Sequence, residues 1–218
     1  MMQENTLLIS VAIGAGLIAA VFRARLDAVI INEEAQAEPD QEPTMVESIV
    51  MAIDPANYGT DTSTDNSSMA NTNIEAFLTT IAIAEGTAGP RGYQTMFGYR
   101  YFDNYADHPR QYWPYTDLAG RNIKTSAAGR YQIIVKTWDS LKAKLALVDF
   151  SPASQDRAAI ELIRQRRALE DVKAGRFQLA VAKCAPVWAS LPGAGYSQPE
   201  RSMNTLTAAF QNAGGILA

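Results

Sequence analysis

Cysteine and histidine are almost absent: Cys184 and His108 are the only examples in 218 residues. One cysteine excludes an intramolecular disulfide and a thiolate metal cluster. One histidine makes any Ser-His-Asp or Cys-His arrangement depend on His108 and nearly excludes a His-based zinc site. Positive charge is missing from residues 26–90, which hold 12 of the 23 acids, whereas residues 91–218 carry 17 Lys/Arg against 10 Asp/Glu. The net charge of −4 conceals this asymmetry. A basic C-terminal body suits an anionic polymer, either nucleic acid or a charged wall glycan, and charge alone does not choose. The 47% apolar content excludes general disorder, and the length allows one good-sized domain with appendages.

Leu7–Phe22 reads LLISVAIGAGLIAAVF, sixteen residues without a charge. That is just short of the usual ~17–25 for a membrane-spanning helix. The basic n-region of a cleaved signal peptide is missing from Met1–Thr6. Residues 1–31 are therefore expected to form an N-terminal membrane segment. Residues 32–71 read as a tether: Glu33, Glu34, Glu38, Asp40, Glu42 and Glu47 come first, then a Thr/Ser/Asn/Asp-rich run. Such a composition buries too little apolar surface to offset chain entropy.

The compact part is expected over 72–218. Thr72 and Glu75 fit a T-x-x-E capping box. Ile74, Phe77, Leu78 and Ile81 follow the i, i+3, i+4, i+7 spacing of one buried helix face. Gly92–Ile133 is Tyr- and Gly-rich without helical periodicity, which predicts short strands, including 96–102 and 122–124. Helices are predicted over 134–145, from Ser151-Pro152 to about 168, and over 170–174, 177–185 and 199–212. The fold class is α+β, mainly helical, with a small β-sheet and two lobes flanking a cleft.

Glu85 carries the most informative chemistry. It continues the apolar stripe of Leu78 and Ile81, and Gly86 suits the C′ position that ends a helix. Desolvation and the negative end of the helix dipole both favour the protonated acid there. The row Ser126-Ala127-Ala128-Gly129-Arg130-Tyr131-Gln132 sets small residues, which allow close backbone approach, ahead of polar side chains suited to sugar hydroxyls. Together they suggest glycan cleavage by a single carboxyl group. The competing readings are a solvated helix-end glutamate and a tight turn. Asp107-His108-Pro109-Arg110 reads as a hydrogen-bonded turn rather than a catalytic His, Asp103 as a solvated acid, and Trp188 and Phe210 as core.

Several rows, in order, carry a resemblance. They are Ala84-Glu85-Gly86-Thr87, Gly92-Tyr93, Phe102 with Tyr105 and Asp107–Arg110, Ala128–Gln132, Asp149–Pro152 with Ser154-Gln155-Asp156, Trp188–Tyr196 and Ala213–Gly215. Residues 73–215 resemble the lambdoid phage endolysins, which are lysozyme-like lytic transglycosylases. The resemblance implies a lysozyme-like fold and catalysis by Glu85, with no metal or cofactor and no nucleic acid. The partner it implies is the peptidoglycan glycan strand, cleaved between N-acetylmuramic acid and N-acetylglucosamine with formation of a 1,6-anhydro sugar. Ser126, Gly129, Tyr131, Gln132, Tyr93, Tyr105 and Tyr196 are the implied substrate-binding residues. The chain departs from the family at Gln94, where relatives have Asp, in the aromatic loop after Arg110, and in its first ~70 residues.

Two alternatives stand beside this expectation: a water-using muramidase helped by Asp103 or Asp107, and a non-catalytic wall-binding or virion structural protein. Arg23 and Arg25 follow the apolar segment while Glu4 precedes it. The positive-inside rule then places the C-terminal side in the cytoplasm, away from the wall. Association with phage virion components, or an anchor that leaves the bilayer, resolves the conflict. The expected location is a single-pass protein of a virion membrane or the host inner membrane, acting on the periplasmic wall.

Overall fold

The computed structural model describes residues 64–218. The apolar segment Leu7–Phe22 and most of the acidic tether lie outside them. Among the described residues no helix is long and apolar enough to cross a membrane.

Helix α1 spans Thr64–Glu85, so residues 64–71 are helical where a tether was expected. The T-x-x-E row does not cap it. Thr72 sits inside the helix and its hydroxyl donates back to the Ser68 carbonyl at 3.0 Å, an alternative open to any helical Thr. The stripe is as the spacing predicts: Ile74, Phe77, Leu78 and Ile81 are all buried. Each such side chain contributes about 1.5–3 kcal/mol of burial free energy. Asn73, also buried, pins the C-terminal tail to α1. Its amide donates to the Lys173 and Ile216 carbonyls, and its oxygen accepts from Ile216 N at 2.7 Å.

After α1 come a 3₁₀ turn at Gly92–Gln94 and two antiparallel hairpins. Strands β1 (Thr95–Met96) and β2 (Arg100–Tyr101) pair as Met96↔Arg100 around a turn whose Gly98 and Tyr99 both have positive φ. The single strand expected over 96–102 is thus folded back on itself. Strands β3 (Trp113–Thr116) and β4 (Asn122–Thr125) form the second hairpin. The sheet is therefore two separate two-stranded pieces. Isolated bridges Met96↔Ala128 and Ala128↔Ile133 join β1 to the segment that follows β4.

Helix α2 is Val135–Leu145 and α3 is Pro152–Gln165, the latter capped by Ser151, whose hydroxyl accepts from Ser154 N. Then come α4 (Leu169–Lys173), α5 (Phe177–Cys184) and α6 (Met203–Asn212), which begins at the Ser202 cap rather than at Pro199. Helix α1 packs against α3, α4 and α6. Phe177 joins Phe77 to Phe210 in one aromatic cluster. Phe150 gathers Phe102, His108 and Trp138 in another. Trp188 and Phe210 are core, as expected. Cys184 is buried too, and burial pushes its thiol up to about 12, which removes it from redox or nucleophilic chemistry.

Candidate active site

Glu85 is the last residue of α1, and a Schellman motif closes the helix there. Gly86 N donates to Ile83 O at 3.1 Å and Thr87 N to Ala82 O at 2.8 Å, with Gly86 at φ 73°. The Thr87 hydroxyl lies within hydrogen-bond distance of both Ala82 O and Arg130 O, so the helix end is fastened to the Ala128–Gln132 row. Glu85 is half-buried. Burial drives its carboxyl from 4.5 up to about 7, against the opposing pull of the Ser190 hydroxyl and the positive charge of Arg201. Ser190 Oγ donates to Glu85 Oε1 at 2.7 Å. The result is a carboxyl that is an acid and a base in comparable measure near neutrality.

The row opposite is built as a rigid turn. Gly129 has φ 78°, and a Cβ there would stand 2.2 Å from Gln155 Oε1. That oxygen accepts from Arg130 N at 2.9 Å, while Gln155 Nε2 donates to Tyr93 O and Phe150 O. Gln132 also has positive φ, at 47°, and its amide donates to Thr95 O and Gly129 O. A Trp188 Nε1 bond to Tyr131 O at 3.0 Å holds the back of the row.

The seven residues expected to bind sugar divide by exposure. Ser126 is buried, and its hydroxyl accepts from Val135 N, so it satisfies an orphan amide at the start of α2. Tyr131 is buried and its hydroxyl donates to Asp156 at 2.5 Å. Both hydroxyls have internal partners where sugar contacts were expected. Tyr93, half-buried, donates to the same carboxylate at 2.9 Å. Burial, reinforced by Asp156, keeps both phenols protonated, and burial raises Asp156 itself. Tyr93 and Arg130 line a cavity of about 140 Å³ with Glu75, Leu78, Thr79, Tyr131 and Asp156. Tyr105 is half-buried edge-on against Phe102, and Tyr196 is exposed with its hydroxyl on Pro186 O.

The other two acids offered by the sequence differ in their surroundings. Asp103 is exposed and paired with Arg91 at 3.1 Å. Asp107 accepts from Trp138 Nε1, Arg110 Nε and Lys142 Nζ. Burial opposes its charge, but those three donors outweigh it and hold the carboxylate well below the usual range. His108 Nδ1 accepts from Arg110 N, so Nε2 carries the proton and donates to Ile133 O at 2.9 Å. Burial lowers its pKa, and the neutral ring is a structural strut.

Sequence reading assigned no role to Ser190, Arg201 or Asp156. Ser190 and Asp156 lie in rows that carry the resemblance. Ser190 meets Glu85 across 105 positions of chain, so only the fold reveals the contact.

Comparison with known proteins covers the same C-terminal part of the chain. The Endolysin family model matches residues 75–217. The endolysin of Escherichia phage P2 is 44% identical over 157 residues, covering 67% of this chain and 95% of that protein. The endolysin of Escherichia phage lambda is 40% identical over 153 residues, covering 67% and 94%. Among solved structures, bacteriophage lambda lysozyme complexed with a chitohexasaccharide matches with a TM-score of 0.62 at 39% identity, covering 67% of this chain and 97% of that one.

Proposed function

This chain belongs to the Endolysin family, and we propose that it is a peptidoglycan-degrading lytic transglycosylase in which Glu85 is both acid and base. The observation that carries this reading is one shielded carboxyl at about 7, held by Ser190, with Asp107 held by three donors and Asp103 solvent-exposed beside Arg91. Hydrolysis by two carboxylates needs a second group placed across the bond. Cyclisation needs only the first. Protonated Glu85 gives its proton to the oxygen linking N-acetylmuramic acid to N-acetylglucosamine, and the C1–O bond breaks. The resulting carboxylate takes the proton of the muramic C6 hydroxyl as that oxygen bonds to C1. The acid is regenerated, a 1,6-anhydro end forms, and no water is consumed.

The solved relative's complex with a chitohexasaccharide supports a glycan ligand for this fold. Of the residues named from the sequence, Gln132, Tyr93, Tyr105 and Tyr196 keep side-chain surface with which to meet it. Membrane attachment through Leu7–Phe22, and action from a virion or inner membrane on the periplasmic wall, belong to the same proposal and rest on the apolar run. Mass spectrometry of digested wall tests the reaction. Anhydro ends lighter by one water than reducing muramic acid are expected, and reducing ends alone would make the protein a muramidase.

A further inference from the structure

We propose that Arg201 is a positioning residue for Glu85: it fastens the Ser190 segment to the end of α1 and keeps a fixed positive charge beside the carboxyl throughout turnover. The inference rests on Glu85 being the acid and base of the reaction.

Arg201 lies just before α6 and is half-buried. Its main-chain N donates to Ser190 O at 2.8 Å, and its Nε reaches Ala84 O at 3.4 Å. Ser190 in turn holds Glu85 Oε1. One residue therefore touches both the neighbour of Glu85 in the helix and the side chain's hydrogen-bond donor. Ala84 O belongs to the last turn of α1, where unpaired carbonyls concentrate negative potential and oppose ionisation of Glu85. A guanidinium there offsets that potential.

The groups that act on the Glu85 carboxyl include Ser190, after α5, and Arg201, before α6. Tyr99, from the β1–β2 turn, and Glu85 both act electrostatically on Arg201. Burial pulls its pKa down, and those two oppose the fall. Between proton donation and proton recovery Glu85 is an ionised carboxylate in a shielded place. A charge already in position lowers the cost of that interval without any reorganisation. Ser190 can donate one hydrogen bond but brings no charge.

The test uses the full-length chain in detergent, with the Glu85 carboxyl titrated by carbon NMR and kcat/KM on peptidoglycan followed against pH. Arg201→Gln should move the carboxyl midpoint and the basic limb of the rate profile upward together, on the order of one pH unit. Arg201→Lys keeps the charge and should leave both at the wild-type pH, even if loss of the fork lowers the rate. A midpoint unmoved in Arg201→Gln, or moved equally in Arg201→Lys, overturns the proposal. If the Gln variant does not fold, Arg201→Met, which also removes the charge, takes its place: an upward midpoint there beside a wild-type midpoint in Arg201→Lys supports the charge role, and an unmoved midpoint refutes it. Glu85→Gln separates the two layers. Activity retained there removes the catalytic reading itself, whereas an inactive Glu85→Gln beside an unmoved Arg201→Gln removes only the role of Arg201.

Discussion

At the scale of single residues, the pH behaviour of Glu85 makes a prediction beyond loss of activity. Glu85→Gln should lower wall clearing by about 10²–10⁴, the usual worth of general acid–base catalysis. The same substitution should change stability with a defined sign. The folded carboxyl sits at about 7 against an ordinary 4.5, so the native state binds the extra proton between those values. Wild-type stability therefore falls as pH rises through that window and stays lowered above it. The melting temperature of Glu85→Gln relative to wild type should climb from about 4.5 to about 7 and then level off, which calorimetry across pH would show. A flat difference would mean the carboxyl is not shielded. Tyr131→Phe tests a different residue. It deletes a 2.5 Å bond to buried Asp156, so roughly 1.5–3 kcal/mol of stability should go. A variant with undiminished stability but impaired sugar binding would restore the ligand role that the sequence suggested. The shielding of Glu85 is legible because it continues an apolar stripe, whereas its catalytic role was expected chiefly from the resemblance. The internal partners of the Ser126 and Tyr131 hydroxyls are not legible in the sequence, because residue type and spacing do not say whether a hydroxyl points inward.

Among the elements, what could be read followed the range of the signal. Helices α2 and α3 were visible in local periodicity and in the Ser151-Pro152 start, and Ser151 does cap α3. The β3–β4 hairpin was only partly visible, because Pro114 demotes its strand in any sequence reading. The structure tolerates Pro114 because the pair has only two strands and Pro114 is exposed, with Trp113 and Tyr115 turned partly inward. The start of α1 was placed too late, since Thr72 and Glu75 carry a cap signature in the middle of a helix. The contact that matters most for this helix is long-range. Asn73→Ala would strand the Lys173 and Ile216 carbonyls and the Ile216 amide. At about 1–3 kcal/mol for a buried unsatisfied group, the melting temperature should fall by several degrees. Asn73 and Glu85 are twelve positions apart along the helix, roughly 18 Å of rise, so kcat/KM per folded molecule should be unchanged. A fall in kcat/KM at full folding would show that the tail contact reaches the active site.

For the whole molecule, the boundary between the body that matches the Endolysin family and the N-terminal segment can be tested by truncation. The family match begins at residue 75, but α1 reaches back to Thr64, so a fragment starting at the match would lose three turns of the helix that carries Glu85. Residues 64–218 should therefore fold and cleave wall fragments without detergent, and a fragment beginning at residue 75 should melt lower. The 17 basic against 10 acidic residues after position 90 should make wall clearing by the 64–218 fragment fall with salt, as exposed charges are screened beyond about 10 Å at 0.1 M. The full-length chain should behave differently. Leu7–Phe22 has no charge and is followed by Arg23 and Arg25, so it should sediment with membranes, resist carbonate and high salt, and release into detergent. Replacing Ile13 and Leu17 with Lys should free it, because each charge near a helix centre costs about 2.5–3.5 kcal/mol on insertion scales. If the unmodified chain stays in the supernatant without detergent, the sixteen apolar residues serve packing or assembly, and the route to the wall must be sought elsewhere than in a bilayer.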